Sequence, residues 1–205
     1  MKKMMFNDRY GLTQAVISGR KTVTRRVVKD AWWPIYKIEA EEIKGDIIHV
    51  IANNGKLVIE HKCPYKIGEI VAVAQCYADI HSELMIGDFG DDCYDSFKNA
   101  VVHDKAGWHN KMFVQADLMP HRIQITDLRI ERLQDISDDY FKEGITLLVS
   151  ADDGRIQWGY ADEHLRYYMF DSPREAFASL IDKVSGRGIW DRNPFVWRIE
   201  FELVK

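Results

Sequence analysis

A strictly alternating stretch near the end of the sequence constrains the fold more than any other feature. In residues 195–203, Phe-Val-Trp-Arg-Ile-Glu-Phe-Glu-Leu, a large apolar side chain occupies every second position. Because successive side chains of a strand point to opposite faces, this period predicts a strand with one face in a core. Residues 70–77 are apolar on both faces, which predicts a strand in the interior of a sheet. The chain must therefore form a sheet whose apolar faces are covered by other elements.

Further strands are predicted along the chain. Residues 122–133 alternate with one slip of register, which predicts a β-bulge. Residues 111–116 predict a strand, and residues 35–62 predict two or three strands with a hairpin turn at Asn53-Asn54-Gly55-Lys56. Residues 80–110 and 146–165 show little periodicity and are interpreted as a long loop or insertion and as an irregular stretch.

Three helices are predicted from their end signals. Residues 8–18 have apolar side chains at helical spacing, with Asp8 as a candidate N-cap and Gly19 just beyond the end. A short helix is expected from Ser137 to residues 143–144. Residues 172–175, Ser-Pro-Arg-Glu, form a capping box with proline at the first helical position. The sum is an α+β domain, a small, mixed and mostly antiparallel β-barrel carrying two or three flanking helices.

Composition excludes several classes of protein. The chain has 205 residues, enough for one domain with insertions, and no apolar run approaches the roughly 20 residues that span a bilayer. Its three cysteines, Cys63, Cys76 and Cys93, are widely spaced, which disfavours a disulfide framework or a four-cysteine zinc site. These features predict a cytoplasmic protein with reduced thiols. The formal net charge of -4 excludes a broadly basic, non-specific DNA binder.

A basic cluster stands out on this acidic chain. Five of the ten residues from Arg20 to Lys29 are lysine or arginine. One interpretation is a solvated charged strand. The other is an anion site, in which Arg25 and Arg26 bind phosphate in a bidentate manner and Lys21 supplies a nearby point charge.

The pattern Gly19-x-Lys21-x-x-Thr24-x-Arg26 resembles the signature motif of the ASCH domains, a branch of the PUA-like barrel superfamily. The Gly68-Glu69 turn, residues 125–133 followed by Glu143-Gly144-Ile145, and a closing strand after Asn193-Pro194 resemble later parts of the family pattern. The resemblance implies one PUA-like domain over residues 1–205, with insertions near 80–110 and 146–165, and binding of RNA. The commonest form of the motif has glutamate where this chain has Thr24.

A small bacterial ASCH subgroup with a similar threonine motif acts as an N4-acetylcytidine amidohydrolase, although it is much shorter and lacks the insertions. The resemblance implies a metal-independent catalytic set of Lys21, Thr24 and Glu143. Lys21 would take a proton from Thr24, Thr24 would attack the acetyl carbonyl, and Glu143 would orient Lys21 or pass the proton to the leaving amine. Residues 21 and 24 of a straight strand point to opposite faces, so this site needs a turn or bulge just after Gly19.

Three functions stay open at this stage. The first is binding of RNA or a modified nucleoside in a basic cleft formed by Gly19, Lys21, Arg25 and Arg26, with Trp32 and Trp33 stacking on bases. The two tryptophans fit core packing or a covering flap equally well. The second function is amide hydrolysis of an N4-acylated cytidine nucleoside. The third is a protein-interaction module of a mobile element, such as a prophage, with residues 80–110 as its contact surface.

A metal site is the weakest alternative. His103 and His109 with Cys93 or Asp104 have ligand chemistry, but their spacing matches no familiar zinc pattern. No metal or cofactor is therefore predicted.

Overall fold

The computed structural model describes residues 1–28, 38–44, 47–52, 57–86, 106–137, 139–150 and 153–204. The predicted hairpin turn at residues 53–56 lies outside these ranges, as do Trp32 and Trp33.

The described residues contain strands, α-helices and short 3₁₀ turns, whose bounds follow. The strands are β1 (Lys3–Met4), β2 (Val23–Val27), β3 (Ile38–Lys44), β4 (Ile47–Ala52), β5 (Leu57–Lys62), β6 (Ile70–Val73), β7 (Arg122–Arg132), β8 (Thr146–Val149), β9 (Ile156–Ala161), β10 (Tyr167–Phe170) and β11 (Phe195–Val204). The α-helices are α1 (Leu12–Ile17), α2 (Tyr77–Ile86), α3 (Pro173–Ser185) and α4 (Ile189–Arg192). The 3₁₀ turns are Asp8–Tyr10, Lys111–Phe113, Ala116–Leu118, Leu133–Asp135 and Phe141–Glu143. None of these helices is long and apolar enough to cross a bilayer.

The strands form three sheets. The largest has the order β1-β6-β7-β11-β2, and only its β1–β6 pair is parallel. The other two, β10-β9-β8 and β3-β4-β5, are antiparallel. The predicted α+β class with mostly antiparallel strands is therefore confirmed. Closure into one barrel is not observed in the described part of the chain, where the strands divide among separate sheets.

The two strands with the clearest alternation pair with each other at the centre of the large sheet. Between β11 and β7 the register shifts after Glu200, so that Glu200 faces Asp127 while Phe201 faces Ile125. Thr126 is the extra residue, which confirms the predicted bulge. The alternating side chains Trp197, Ile199 and Phe201 are all buried, as the period-two pattern predicts.

Two apolar cores form around the sheet. The main core joins β7 and β11 to α1 and α3, and includes Val16, Ile125, Phe177 and Ile199. A second core collects residues of β6, α2 and the turns after residue 106, namely Ala72, Ala74, Tyr77, Ile80, Val114 and Met119.

Helix α3 begins as its capping box predicts. The Ser172 hydroxyl accepts a hydrogen bond from the Glu175 backbone N–H at 3.2 Å, and Pro173 occupies the first turn. Phe177, Leu180 and Ile181 are buried against the sheet. Val184, which was expected in the same face, is 36% exposed.

Four predictions of local structure were wrong in whole or in part. Residues 77–86 form α2 instead of the strand end and loop that were expected. Residues 146–165 contain all of β8 and β9, and their apolar side chains at Leu147, Val149 and Ile156 are exposed, so burial follows only part of their pattern. The helix expected over residues 8–18 is confirmed over Leu12–Ile17, but residues 8–10 form a separate 3₁₀ turn that ends at Gly11, which has a φ of 62°. The helix expected from Ser137 is reduced to a 3₁₀ turn at residues 141–143.

Residues 111–116 were also assigned wrongly, as a strand. They form 3₁₀ turns because the chain curls around the amine of Lys3. Lys3 Nζ donates to three carbonyl oxygens there, those of Lys111 at 2.9 Å, Met112 at 2.7 Å and Val114 at 2.8 Å. A distant lysine thus satisfies backbone groups that a strand would have paired with a neighbour.

Candidate functional site

The turn between α1 and β2 places Lys21. Gly19 adopts a φ of 73°, a conformation that favours glycine, and no atom lies within 4 Å of where its Cβ would be. The Lys21 N–H then donates to the Ala15 carbonyl at 2.8 Å, and β2 begins only at Val23. The chain therefore turns just after Gly19, as the predicted site requires. Gly19 itself is exposed and serves the turn.

The Lys21 side chain is buried and has a full set of acceptors. It is 2% exposed, and its Nζ donates to Glu143 Oε2 at 2.6 Å, to the Val23 carbonyl at 2.7 Å and to the Glu143 carbonyl at 2.9 Å. An ammonium group has three N–H donors, so each has a partner. Burial lowers the pKa of Lys21, the charge and hydrogen bond of Glu143 oppose that shift, and Arg25 and Arg26 add to it.

Glu143 reaches Lys21 from a 3₁₀ turn that packs beside the edge strand β2. The turn is tied to the chain just before β2 by a hydrogen bond from the Thr22 N–H to the Lys142 carbonyl, 3.0 Å long. Gly144 ends the turn with a φ of 99°, and a Cβ there would lie 3.1 Å from the Leu12 side chain. Lys21 and Glu143, which are 122 positions apart, are thus in direct contact.

Arg25 is the second cation that Glu143 neutralises. Its side chain is 1% exposed, with Nη1 2.7 Å from Glu143 Oε1 and Nε 2.6 Å from Glu131 Oε1. In this arrangement its guanidinium is enclosed by carboxylates and is not presented to a phosphate. Sequence reasoning assigned Arg25 to a ligand and did not identify Glu131.

Arg198 extends this arrangement across the sheet, where it is the cross-strand neighbour of Arg25. Its guanidinium lies 2.6 Å from Asp139 and 2.9 Å from Glu200, while Arg25 approaches the same Asp139 at 3.8 Å. Burial by itself raises the pKa of Asp139, but the hydrogen bonds and charge of Arg198 lower it overall. We call Lys21, Arg25, Arg198, Glu131, Asp139, Glu143 and Glu200 the charged network. Each of its three cations contacts at least one of its four carboxylates.

Thr24 lies near the charged network without bonding to it. Strand alternation points Thr24 and Arg26 to the face of β2 opposite Arg25, and Thr24 pairs with Ile199 of β11. Thr24 is 8% exposed. Among the described residues no hydrogen bond joins its hydroxyl to Lys21 or Glu143.

Arg26 differs from Lys21 and Arg25 in its ionic contacts. It has no carboxylate partner in the described part of the chain, and its Nε is buried without a hydrogen-bond acceptor. Its Nη2 donates to the Met5 carbonyl, and its guanidinium lies 5.9 Å from the Phe6 ring centre. Burial lowers the pKa of Arg26, and the proximity of Tyr65 and Glu143 opposes that shift. Among the described residues, no carboxylate therefore balances the charge of Arg26 directly.

The remaining candidates lie apart from this site or outside the described residues. Trp32, Trp33, Cys93, His103 and Asp104 fall outside the described ranges, and His109 is exposed. Over the residues that the structure describes, no group of three or more histidine, cysteine or acidic side chains is arranged to hold a metal ion.

A separate cavity of about 600 Å³ lies between α1 and α2. Its lining includes Thr13, Gln75, Glu83 and His121, and none of the motif residues from Gly19 to Arg26. Sequence reasoning missed it, because only the fold brings these positions together. Comparison of the chain with protein-family models, with curated proteins and with solved structures found no match.

Proposed function

We propose that this protein binds an RNA base or a modified nucleoside beside β2, as an ASCH-type domain of the PUA-like class, with Arg26 as the principal cationic contact. The observation that carries the proposal is the unmatched guanidinium of Arg26. Lys21 and Arg25 form ion pairs with Glu143 and Glu131, so their charge is balanced inside the fold. Of Lys21, Arg25 and Arg26, only Arg26 has a charge that no carboxylate of the described residues balances.

The surroundings of Arg26 support recognition of a base edge or a single phosphate. A guanidinium presents a planar fork of donors that matches paired acceptors on a base or a phosphate. The Phe6 ring provides an apolar surface next to the Arg26 guanidinium. Because one charge makes the contact, we expect affinity to fall only weakly with added salt, with a slope of about one in log–log form.

Titration of fluorescent single-stranded RNA, and of cytidine and N4-acetylcytidine, tests this proposal. Arg26→Gln removes the unmatched charge and is expected to weaken binding about tenfold or more, as for loss of a charged hydrogen bond. Arg20→Gln removes the same charge from an exposed position in the same motif, and is expected to leave affinity unchanged. Equal losses of affinity in Arg26→Gln and Arg20→Gln would identify non-specific charge attraction. Failure of every probe to bind would reject the proposal.

A second function, amide hydrolysis of an N4-acylated cytidine, is favoured by the direct contact of Lys21 with Glu143 in a buried setting. The Thr24 oxygen would bond to the acetyl carbon while its proton passes to a base, and the C–N bond would break as the amine takes a proton. Water would then hydrolyse the acetyl ester and release acetate. As an ammonium with three acceptors, Lys21 has no lone pair for the Thr24 proton. Substrate binding must therefore move a proton from Lys21 to Glu143 and break one of these hydrogen bonds.

Incubation with N4-acetylcytidine, followed by chromatography for cytidine and acetate, tests the second function. Thr24→Val keeps the side-chain shape and removes the hydroxyl, and is expected to abolish turnover, whereas Thr24→Ser retains part of it. Thr22→Val, two positions earlier, is the matched control and is expected to turn over normally. Hydrolysis that persists in Thr24→Val would rule out this mechanism. Binding without any hydrolysis would leave the first proposal standing alone.

A further inference from the structure

The cavity between α1 and α2 has the dimensions of a small-molecule site. Its volume of about 600 Å³ lies within the range of ligand pockets, which is on the order of 300–1,000 Å³. We call it the acidic cleft and define it by six of its lining residues: Asp8, Thr13, Gln75, Asp79, Glu83 and His121. No lysine or arginine is among the residues that line it in the described part of the chain.

Gln75 gives the acidic cleft an unused hydrogen-bond acceptor. The residue follows β6 and is 1% exposed. Its Nε2 donates to Glu83 Oε1 at 2.7 Å, and its Oε1 is buried with no partner among the described residues. The carboxylate fixes the amide orientation, because an ionised carboxylate can only accept hydrogen bonds and therefore selects the NH₂ side. The amide oxygen of Gln75 therefore has no hydrogen-bond donor among the described residues.

The charges that line the acidic cleft also favour a ligand with hydrogen-bond donors. Lys111 neutralises Asp8, since its Nζ lies 2.7 Å from that carboxylate, and His121 Nε2 lies 2.8 Å from Glu83. Among the described residues, Asp79 accepts hydrogen bonds from the thiol of Cys76 at 3.0 Å and from its backbone N–H at 3.4 Å, and no cation lies against it. The lining thus offers acceptors and negative charge. A ligand that matches it must supply N–H donors and positive charge.

We propose that the acidic cleft binds a small organic cation that carries an amine or a guanidinium group. One N–H of the ligand is hydrogen-bonded to Gln75 Oε1, and the carboxylates of Glu83 and Asp79 balance its charge. This site is distinct from that of Lys21. Thr13, on one side of α1, lines the acidic cleft, whereas Leu12 contacts Gly144 beside Lys21. The inference is therefore independent of the proposed function.

A series of four-carbon probes of different charge tests the inference. Putrescine is the cation, 1,4-butanediol its neutral counterpart and succinate its anionic counterpart, and agmatine adds a guanidinium. Binding to the full chain is followed by calorimetry and by NMR shifts of the His121 ring. Putrescine or agmatine is expected to bind, and butanediol and succinate are expected not to bind.

Two variants and a control locate the binding. Gln75→Leu removes the unused acceptor, and Glu83→Gln removes the adjacent charge while keeping a polar side chain. Each is expected to weaken putrescine binding about tenfold or more, as for a lost hydrogen bond to a charged group. Glu202→Gln removes a charge from an exposed position of β11 and is expected to have no effect. The proposal is overturned if no cation binds or if butanediol binds as well as putrescine. It is also overturned if Gln75→Leu and Glu83→Gln bind putrescine as tightly as the unaltered chain and the Glu202→Gln control do.

Discussion

At the scale of single residues, Glu143 is the most consequential side chain that the structure describes. It is 3% exposed and contacts both Lys21 and Arg25 at less than 3 Å. A buried ion pair has a large desolvation cost, so its net benefit over an apolar pair is small, but removal of one partner leaves the other charge uncompensated. The fold therefore depends on Glu143 regardless of the ligand.

We predict that Glu143→Gln lowers the free energy of unfolding by about 3–5 kcal/mol, because two buried cations lose their shared carboxylate. Urea denaturation followed by circular dichroism measures the change. Glu200→Gln is the matched control. Its carboxylate also pairs with an arginine but is 28% exposed, so its loss is expected to cost about 1 kcal/mol or less. Similar losses of unfolding free energy in Glu143→Gln and Glu200→Gln would show that burial does not determine the cost of removing a paired carboxylate.

The motif identified only part of this arrangement from the sequence. The resemblance led to Lys21, Thr24 and Glu143, and two of these three are in contact. The roles of Arg198 and Asp139 were not predictable, because they depend on the strand register that sets Arg198 opposite Arg25. The same register reverses the expectation for Arg25, whose donors face carboxylates inside the protein. A run of basic residues does not by itself reveal which charges are already matched.

At the scale of elements, the turn between β9 and β10 is organised around Asp162. Its Oδ1 accepts the backbone N–H groups of His164 at 2.9 Å and Arg166 at 3.0 Å. Its Oδ2 accepts the Arg166 side chain at 2.8 Å. Within this turn Leu165 adopts a φ of 58°, which is unfavourable for a residue with a branched side chain. The carboxylate holds the turn in that conformation.

This turn gives a pH-dependent prediction. Burial by itself raises the pKa of Asp162, but the hydrogen bonds from Arg166 and His164 outweigh it and lower the pKa to about 2. A carboxyl group with a depressed pKa in the folded state contributes stability above its unfolded-state pKa, and the contribution is lost as pH falls through its folded-state pKa. The stability difference between the unaltered chain and Asp162→Asn is therefore expected to be full above about pH 4 and to vanish towards about pH 2.

Thermal unfolding of both proteins across that pH range measures the difference. Asp191→Asn, in α4, provides the baseline for loss of an exposed aspartate. A difference that stays constant with pH would mean that the turn does not depend on the ionised carboxylate.

Elements with a buried face were predictable, and exposed or unusual ones were not. The alternation of β7 and β11 and the capping box of α3 correspond to real burial, so the pattern and the structure agree. In β8 and β9 Val149 and Ile156 are largely exposed, at 70% and 67%, so the apolar pattern of these strands corresponds only partly to burial. The 3₁₀ turns near residue 112 depend on Lys3, which is more than a hundred residues away in sequence.

At the scale of the whole molecule, the short strand β1 connects the two cores. It pairs in parallel with β6, and strand alternation sends neighbouring side chains to opposite sides. Met4 is fully buried in the main core, and Met5 packs against the second core. Strand β1 and the residue that follows it thus have contacts in both apolar cores.

We predict that Met4→Ala lowers the free energy of unfolding by about 2–5 kcal/mol, since it leaves a cavity in the main core. Chemical denaturation measures the loss, and Met112→Ala is the control because Met112 is 67% exposed. Parallel loss of NMR signals from the main core and from the second core in Met4→Ala would show that β1 couples the two. A stability change below about 1 kcal/mol would show that this end of the chain is peripheral to the fold.

The position of β11 has a consequence for biosynthesis. It is the last strand of the described chain, yet it lies between β7 and β2. While a ribosome is still translating the preceding residues, each of those neighbours has a row of backbone groups that no strand yet pairs. The β7–β11–β2 part of the sheet can therefore assemble only after the codons for β11 have been translated, and a premature stop shortly before Phe195 would release a product prone to aggregate or to be captured by chaperones.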